Sequence, residues 1–137
     1  MTNEKSAAGQ VGIKVLVIDD SHTIRRSAEI FLKKGGHQVL LAEDGFDALS
    51  KVNDHQPDFI FCDILMPRLD GYQTCAIIKR NARFASVPVI MLSSKDGLFD
   101  KARGRMVGAE DYLTKPFTMD QLLSAVQQYG KPVAVPS

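Results

Sequence analysis

The chain has 137 residues, 45% of them hydrophobic, and a formal net charge of +1. That length suits one domain with a proper core, and that composition excludes a disordered chain. The charge balance argues against a general nucleic-acid binder, and no apolar stretch approaches the roughly 20 residues of a membrane span.

The first twelve residues, MTNEKSAAGQVG, are polar and lack the apolar centre of a signal peptide, so a flexible tail on a cytoplasmic protein is expected. Ile13 to Ile18 is a β-branched and aliphatic run that ends in Asp19-Asp20. Ser21 is placed to cap a helix, in which Ile24, Ala28, Phe31 and Leu32 share one face until Gly35-Gly36 ends it. Gln38 to Ala42 reads as a second strand and Asp44-Gly45 as a turn. Phe46, Leu49 and Val52 mark a short helix closed before Pro57.

Phe59 to Cys62 is the most apolar run, and Asp63 stands at its end. A run this short and rich in Phe and Ile reads as a strand buried on both faces. A carboxylate there needs a partner or an opening to water. After Met66-Pro67 and Asp70-Gly71, Tyr72, Cys75 and Ile78 fall at helical spacing. Pro88 to Leu92 is a fourth strand, ending at Ser93-Ser94. Phe99, Ala102 and Met106 suggest a weaker helix, since Gly104 lies within it. Asp111 to Thr114 is a short fifth strand before Lys115-Pro116-Phe117. A last helix carries Met119, Leu122, Leu123 and Val126. Residues 131–137 are read as a second tail, which leaves one domain over 13–130. Cys62 and Cys75 lie in apolar segments and are expected to be reduced core thiols.

Strand and helix alternate five times, a pattern that predicts an α/β fold with a parallel sheet and helices on both faces. Its functional crevice lies at the loops beyond the strand C-termini. There the chain places Asp19-Asp20, Asp63, Ser93-Ser94 and Lys115-Pro116. Clustered carboxylates repel one another, and a hard divalent cation such as Mg²⁺ relieves this. Asp20 and Asp63, assisted by Asp19, are its candidate ligands. Asp63 is the candidate nucleophile, Lys115 a point charge for a phosphoryl oxygen and Ser93 a hydrogen-bond donor to another. Each residue alone also has a structural reading: caps and loops hold serines, and lysines are most often solvated. Their joint placement at strand ends favours a phosphoryl-transfer site.

In that order and spacing, from Ile13 to Tyr129, the chain resembles the receiver domain of two-component response regulators, most of all the single-domain chemotaxis kind. The resemblance implies a flavodoxin-like fold of strand order 2-1-3-4-5. It implies that Asp63 accepts a phosphoryl group from a histidine kinase. Asp20, Asp63 and the backbone carbonyl of Leu65 would hold Mg²⁺, with Asp19 acting through water. Ser93 and Lys115 would bind the phosphoryl oxygens, the Lys115–Pro116 bond would be cis, and Tyr112 would rotate inward with Ser93. The fourth helix, fifth strand and fifth helix, from about Lys95 to Tyr129, would then bind a downstream protein effector. The protein would be monomeric or dimerise on phosphorylation, and would bind neither nucleic acid nor membrane.

Leu65 and Ser94 depart from the commoner residues of chemotaxis receivers, which predicts an altered phosphate lifetime. The segment from Phe59 to Cys75 leans toward the receivers of type IV pilus twitching motility. Three other readings stand beside this one. A flavin mononucleotide carrier would need a hydroxyl- and glycine-rich first loop in place of Asp19-Asp20. A phosphohydrolase would need a second acid beside Asp63 and a cap. A phosphate-independent docking module, a pseudo-receiver, would be expected to lose an acid or the lysine. No DNA-binding output domain is expected after the last helix.

Overall fold

The computed structural model describes residues 12–94 and 100–130. The expected tails lie outside these residues apart from Gly12, as do Phe99 and the start of the expected effector face at Lys95. Five strands and five helices alternate. They are β1 (Lys14–Ile18), α1 (His22–Lys34), β2 (Gln38–Ala42), α2 (Gly45–His55) and β3 (Phe59–Asp63). There follow α3 (Gly71–Arg80), β4 (Val89–Ser94), α4 (Lys101–Val107), β5 (Asp111–Lys115) and α5 (Met119–Tyr129). The strands form one parallel sheet in the order β2-β1-β3-β4-β5, the expected 2-1-3-4-5.

Period-two alternation divides the core between the two sheet faces. Val15, Val17, Phe59, Phe61, Ile90 and Leu92 pack with Ala28 and Leu32 of α1 and Leu122 and Val126 of α5. Leu16, Ile18, Ile60, Cys62, Val89 and Met91 face Val52 of α2 and Tyr72, Cys75 and Ile78 of α3. Each residue of β3 is buried, which explains its unbroken apolar run. Phe59 and Phe61 are fully buried with ring centroids 5.0 Å apart. Burial of each such ring contributes about 2–3 kcal/mol. Both cysteines are free and buried.

Chain order reverses at β1, so the crevice between β1 and β3 opens at their C-terminal ends. Those ends carry Asp19-Asp20 and Asp63.

The structure adds detail to three local readings. Asp44-Gly45 is not a free turn: the Asp44 side chain caps α2, and Gly45 is the helix's first, buried residue. α2 buries Gly45, Ala48 and Val52, while Phe46 is 53% exposed beneath the Arg68 guanidinium. In α4 the buried residue is Gly104; Ala102 is exposed and Met106 is 86% exposed. Glycine there weakens the helix by propensity, yet it is the one residue that α4 buries. The strand ends also differ slightly, with β4 reaching Ser94 and β5 reaching Lys115.

At the opposite edge, buried His37 accepts a 3.2 Å hydrogen bond at Nδ1 from the Ile13 backbone N–H. Burial lowers its pKa below the ordinary 6.5. The fold therefore favours the neutral ring, and this stability is full above pH 6.5 and lost as pH falls through the lowered value. His37→Gln is expected to flatten the acid side of the stability curve relative to wild type. Parallel urea melts from pH 7.5 to 5 would show it, and an unchanged difference across that range would refute it.

Candidate functional site

The site assembles where β1, β3, β4 and β5 end together. Sheet register sets Asp63 beside Leu92, Ser93 beside Thr114 and Ser94 beside Lys115. A pocket of about 170 Å³ opens there, lined by Asp20, Asp63, Ile64, Leu65, Ser93, Ser94 and Lys115. Oxygens of Asp19, Asp20 and Asp63 lie within 4.8 Å of one another. Asp19 is fully buried, Asp63 is 3% exposed, and Asp20 faces solvent.

Lys115 joins the acids. Its Nζ donates to Asp19 Oδ2 and to Asp63 Oδ1, both at 3.0 Å. Asp19 Oδ1 is also engaged, by the Ser21 backbone N–H at 2.9 Å. Both oxygens of Asp19 are thus held within the protein, and Asp20 and Asp63 are the acids that line the open pocket. Asp19 is better suited to anchoring Lys115 than to serving as an open ligand.

The electrostatics follow from burial. Desolvation, reinforced by the charge of Asp19, raises the Asp63 pKa to about 6; Lys115 opposes this, and a contact with Asp20 adds to it. Burial disfavours the Lys115 ammonium, yet the charge of Asp19 and the bonds to both acids outweigh it and raise its pKa above 10.5. One cation facing three acids leaves the cluster short of positive charge. Oxygen donors alone, so placed, fit a hard divalent ion.

Local chemistry aims the loops. After β3 the chain turns so closely that a Cβ at Gly71 would lie 2.2 Å from the Asp63 carbonyl oxygen. Only glycine fits this approach. Asp70 then caps α3 in a reciprocal capping box with Gln73. Arg68, at φ +69°, pairs with Asp44 at 2.9 Å and ties this loop to the one before α2. The Lys115–Pro116 peptide is cis, as the resemblance implied.

The remaining candidates take defined positions. Ser93 is 4% exposed, and its hydroxyl donates to the Ser94 carbonyl at 3.3 Å. Leu65 projects at the mouth with 67% exposure. Tyr112 is half-buried on β5, beside Met91, and packs against the core on the α2–α4 side. Sequence reasoning missed Arg25, whose Nη1 donates to the Asp19 carbonyl at 2.6 Å and braces the acid loop from α1. A cation on the turn of α1 behind the acid pair was its only signal.

The family model described as the response regulator receiver domain matches residues 15–127. The chain is 65% identical over 118 residues to Protein PilG of Pseudomonas aeruginosa, covering 86% of this chain and 87% of that one. It is 39% identical over 113 residues to Protein PilH of the same organism, covering 82% and 93% respectively. Among solved structures, chemotaxis protein CheY4 of Vibrio cholerae superposes with a TM-score of 0.81 at 32% identity, over 87% of this chain and 99% of that one. Among the described residues no helix is long and apolar enough to cross a membrane. The chain belongs to the response regulator receiver domain family, whose members are signalling domains of two-component systems rather than catalytic enzymes.

Proposed function

We propose that the unit spanning 13–130 is a phosphorylation-driven switch in which Asp63 is the phosphoacceptor. The observation that carries this reading is Lys115, held 3.0 Å from both Asp19 and Asp63 at the edge of an open pocket. A carboxylate so buried, with a fixed ammonium beside it, is poised to attack and to have its product neutralised. Asp63 attacks phosphorus of a phosphohistidine on a histidine kinase. The P–N bond breaks, a P–O bond to Asp63 forms, and the imidazole leaves with a proton from solvent. Lys115 and Ser93 then hold phosphoryl oxygens.

Mg²⁺, when bound, supplies charge neutralisation of the phosphoryl oxygens. Asp20, Asp63 and the backbone carbonyl of Leu65 would hold it, with Asp19 acting through water. Receiver domains bind Mg²⁺ at such an acidic pocket, and the acid cluster here suits it. The protein's chemistry is limited to its own phosphorylation and dephosphorylation.

Phosphorylation would draw Ser93 toward the phosphoryl group and let Tyr112 turn inward, shifting two pre-existing states of the α4–β5–α5 face. α4 suits this role, since Gly104 is its one buried residue among seven. That face would bind a protein effector, as a monomer or as a phosphorylation-dependent dimer. The similarity to PilG and PilH supports a chemotaxis-like pathway that controls type IV pili, in which the protein would act from the cytoplasm.

Acetyl phosphate with Mg²⁺ should add one phosphoryl group to the intact mass, and Asp63→Asn or chelation should abolish the gain. No gain with either acetyl phosphate or candidate histidine kinases would defeat the proposal. Leu65, exposed at the mouth, is placed to obstruct an attacking water, and Ser94 lines the same pocket. Leu65→Asn is expected to change the decay of the phosphoprotein several-fold, on the order of 1 kcal/mol in barrier. Equal decay of variant and wild type, followed by intact mass over time, would clear Leu65 of that role.

A further inference from the structure

A second surface shares α4 with the α4–β5–α5 face but lies on the side of that helix that meets α3. α3 and α4 pack side by side and leave a groove of about 350 Å³ between them. Its apolar lining includes Tyr72, Ala76 and Ile77 from α3 and Val107 from α4. Arg80 and Arg103, one from each helix, also line it, with Leu69 and Gln73. Tyr72, Gln73, Ala76, Ile77 and Arg80 recur at i, i+1, i+4, i+5 and i+8, so the wall is one face of α3. Two of the protein's exposed large apolar residues belong to these helices: Ile77, 38% exposed in the groove, and Met106, 86% exposed one turn after Arg103.

The charge here is one-sided. The chain as a whole carries a net charge of +1. Yet neither α3 (GYQTCAIIKR) nor α4 (KARGRMV) contains an acidic residue. Arg80 is exposed and makes no ion pair among the described residues. Arg103 lies over the Tyr72 ring at 4.4 Å and meets Asp70 at 3.6 Å. Stacking sets the direction of that planar cation before any partner arrives. Lys101 and Arg105 point to the other side of α4, where they line a separate pocket with Asp111 and Tyr112.

We propose that the α3–α4 groove docks an acidic amphipathic helix of a partner protein. Apolar residues at i and i+3 or i+4 would lie over Ala76, Ile77 and Val107, and flanking carboxylates would meet Arg80 and Arg103. Two cations framing an apolar floor match such a helix better than a nucleic acid, which calls for a continuous cationic stripe. The site uses no residue of the acid pocket, so it is tested without phosphate and apart from the phosphoacceptor reading.

The test pans a display library of random peptides, roughly 12 residues long, on the full chain without a phosphodonor. Recovered peptides should be acidic with paired apolar positions. They should shift the backbone amide signals of 76–80, Arg103 and Val107. The double charge reversal Arg80→Glu, Arg103→Glu should weaken binding about tenfold or more. A peptide with lysines in place of its acids should bind that variant instead, which separates charge recognition from misfolding. Recovery of only neutral or basic peptides would overturn the proposal. So would shifts confined to Lys101, Arg105 and Tyr112, indifference to the charge reversal, or occupancy of the groove by a second copy or by anionic vesicles in its place.

Discussion

Lys115→Met is expected to destabilise the metal-free protein by about 3–5 kcal/mol at pH 7.5, the cost of removing one partner from a buried ionic cluster. Asp19 is fully buried and Asp63 is 3% exposed, so neither carboxylate can turn to water when the ammonium is gone. Asp19 would keep only its bond from the Ser21 backbone N–H. The loss should depend on pH. The raised pKa of Lys115 means its own contribution is full below 10.5 and fades only above that value. On the acid side, protonation of Asp63, starting near its raised pKa of about 6, removes part of what the lysine neutralises. The gap between variant and wild type should therefore narrow as pH falls from 7.5 toward 4. Urea melts of both proteins at the two pH values measure this. A gap below about 1 kcal/mol at pH 7.5 would mean that the ion pair is worth no more than a surface one.

Mg²⁺ should stabilise the protein by about 3 kcal/mol at one hundred times its dissociation constant, through mass action alone. In a domain of this size that raises Tm by roughly 6–20 °C. Asp20→Asn should remove most of the increment, since Asp20 is the solvent-facing acid of the pocket. Proton and metal compete for Asp63, so the increment should fall as pH drops through about 6. In the metal-free protein Asp63 acts the opposite way, against the loss from His37. A carboxyl raised from 3.8 to about 6 by folding gains stability as pH falls between those two values. Slopes that diverge with and without Mg²⁺ are thus the signature of binding at this acid. Thermal melts across pH 5 to 8 would reveal it, and parallel slopes would place the ion elsewhere.

Much of this molecule was legible in its sequence. Short apolar strands alternating with amphipathic helices specify a doubly wound parallel sheet, because a strand buried on both faces must be apolar along its length. The break of that pattern at Asp19-Asp20, Asp63, Ser93-Ser94 and Lys115 marked where the sheet edge opens. Local signals also identified the Ser21 cap and the end of α1 at Gly35.

Other features were decided only by tertiary contact. Helical periodicity marked α2 by Phe46 and α4 by Ala102 and Met106, yet these side chains are exposed and the helices bury Gly45 and Gly104. A pattern counts apolar side chains; close approach selects small ones at the contact, as at Gly45, where a Cβ would meet Thr74 and Leu69. The need for glycine at Gly71 appears only when the Asp63 carbonyl is placed against it. Arg25 behind Asp19, and the groove between α3 and α4, involve chain segments that meet only in the folded state. The sequence by itself determined which groups reach the crevice, because strand ends are local. Which carboxylate is sealed against Lys115 and which faces water was decided by the tertiary structure, since Asp19 and Asp20 are neighbours in the chain and differ only in the direction the folded strand points them.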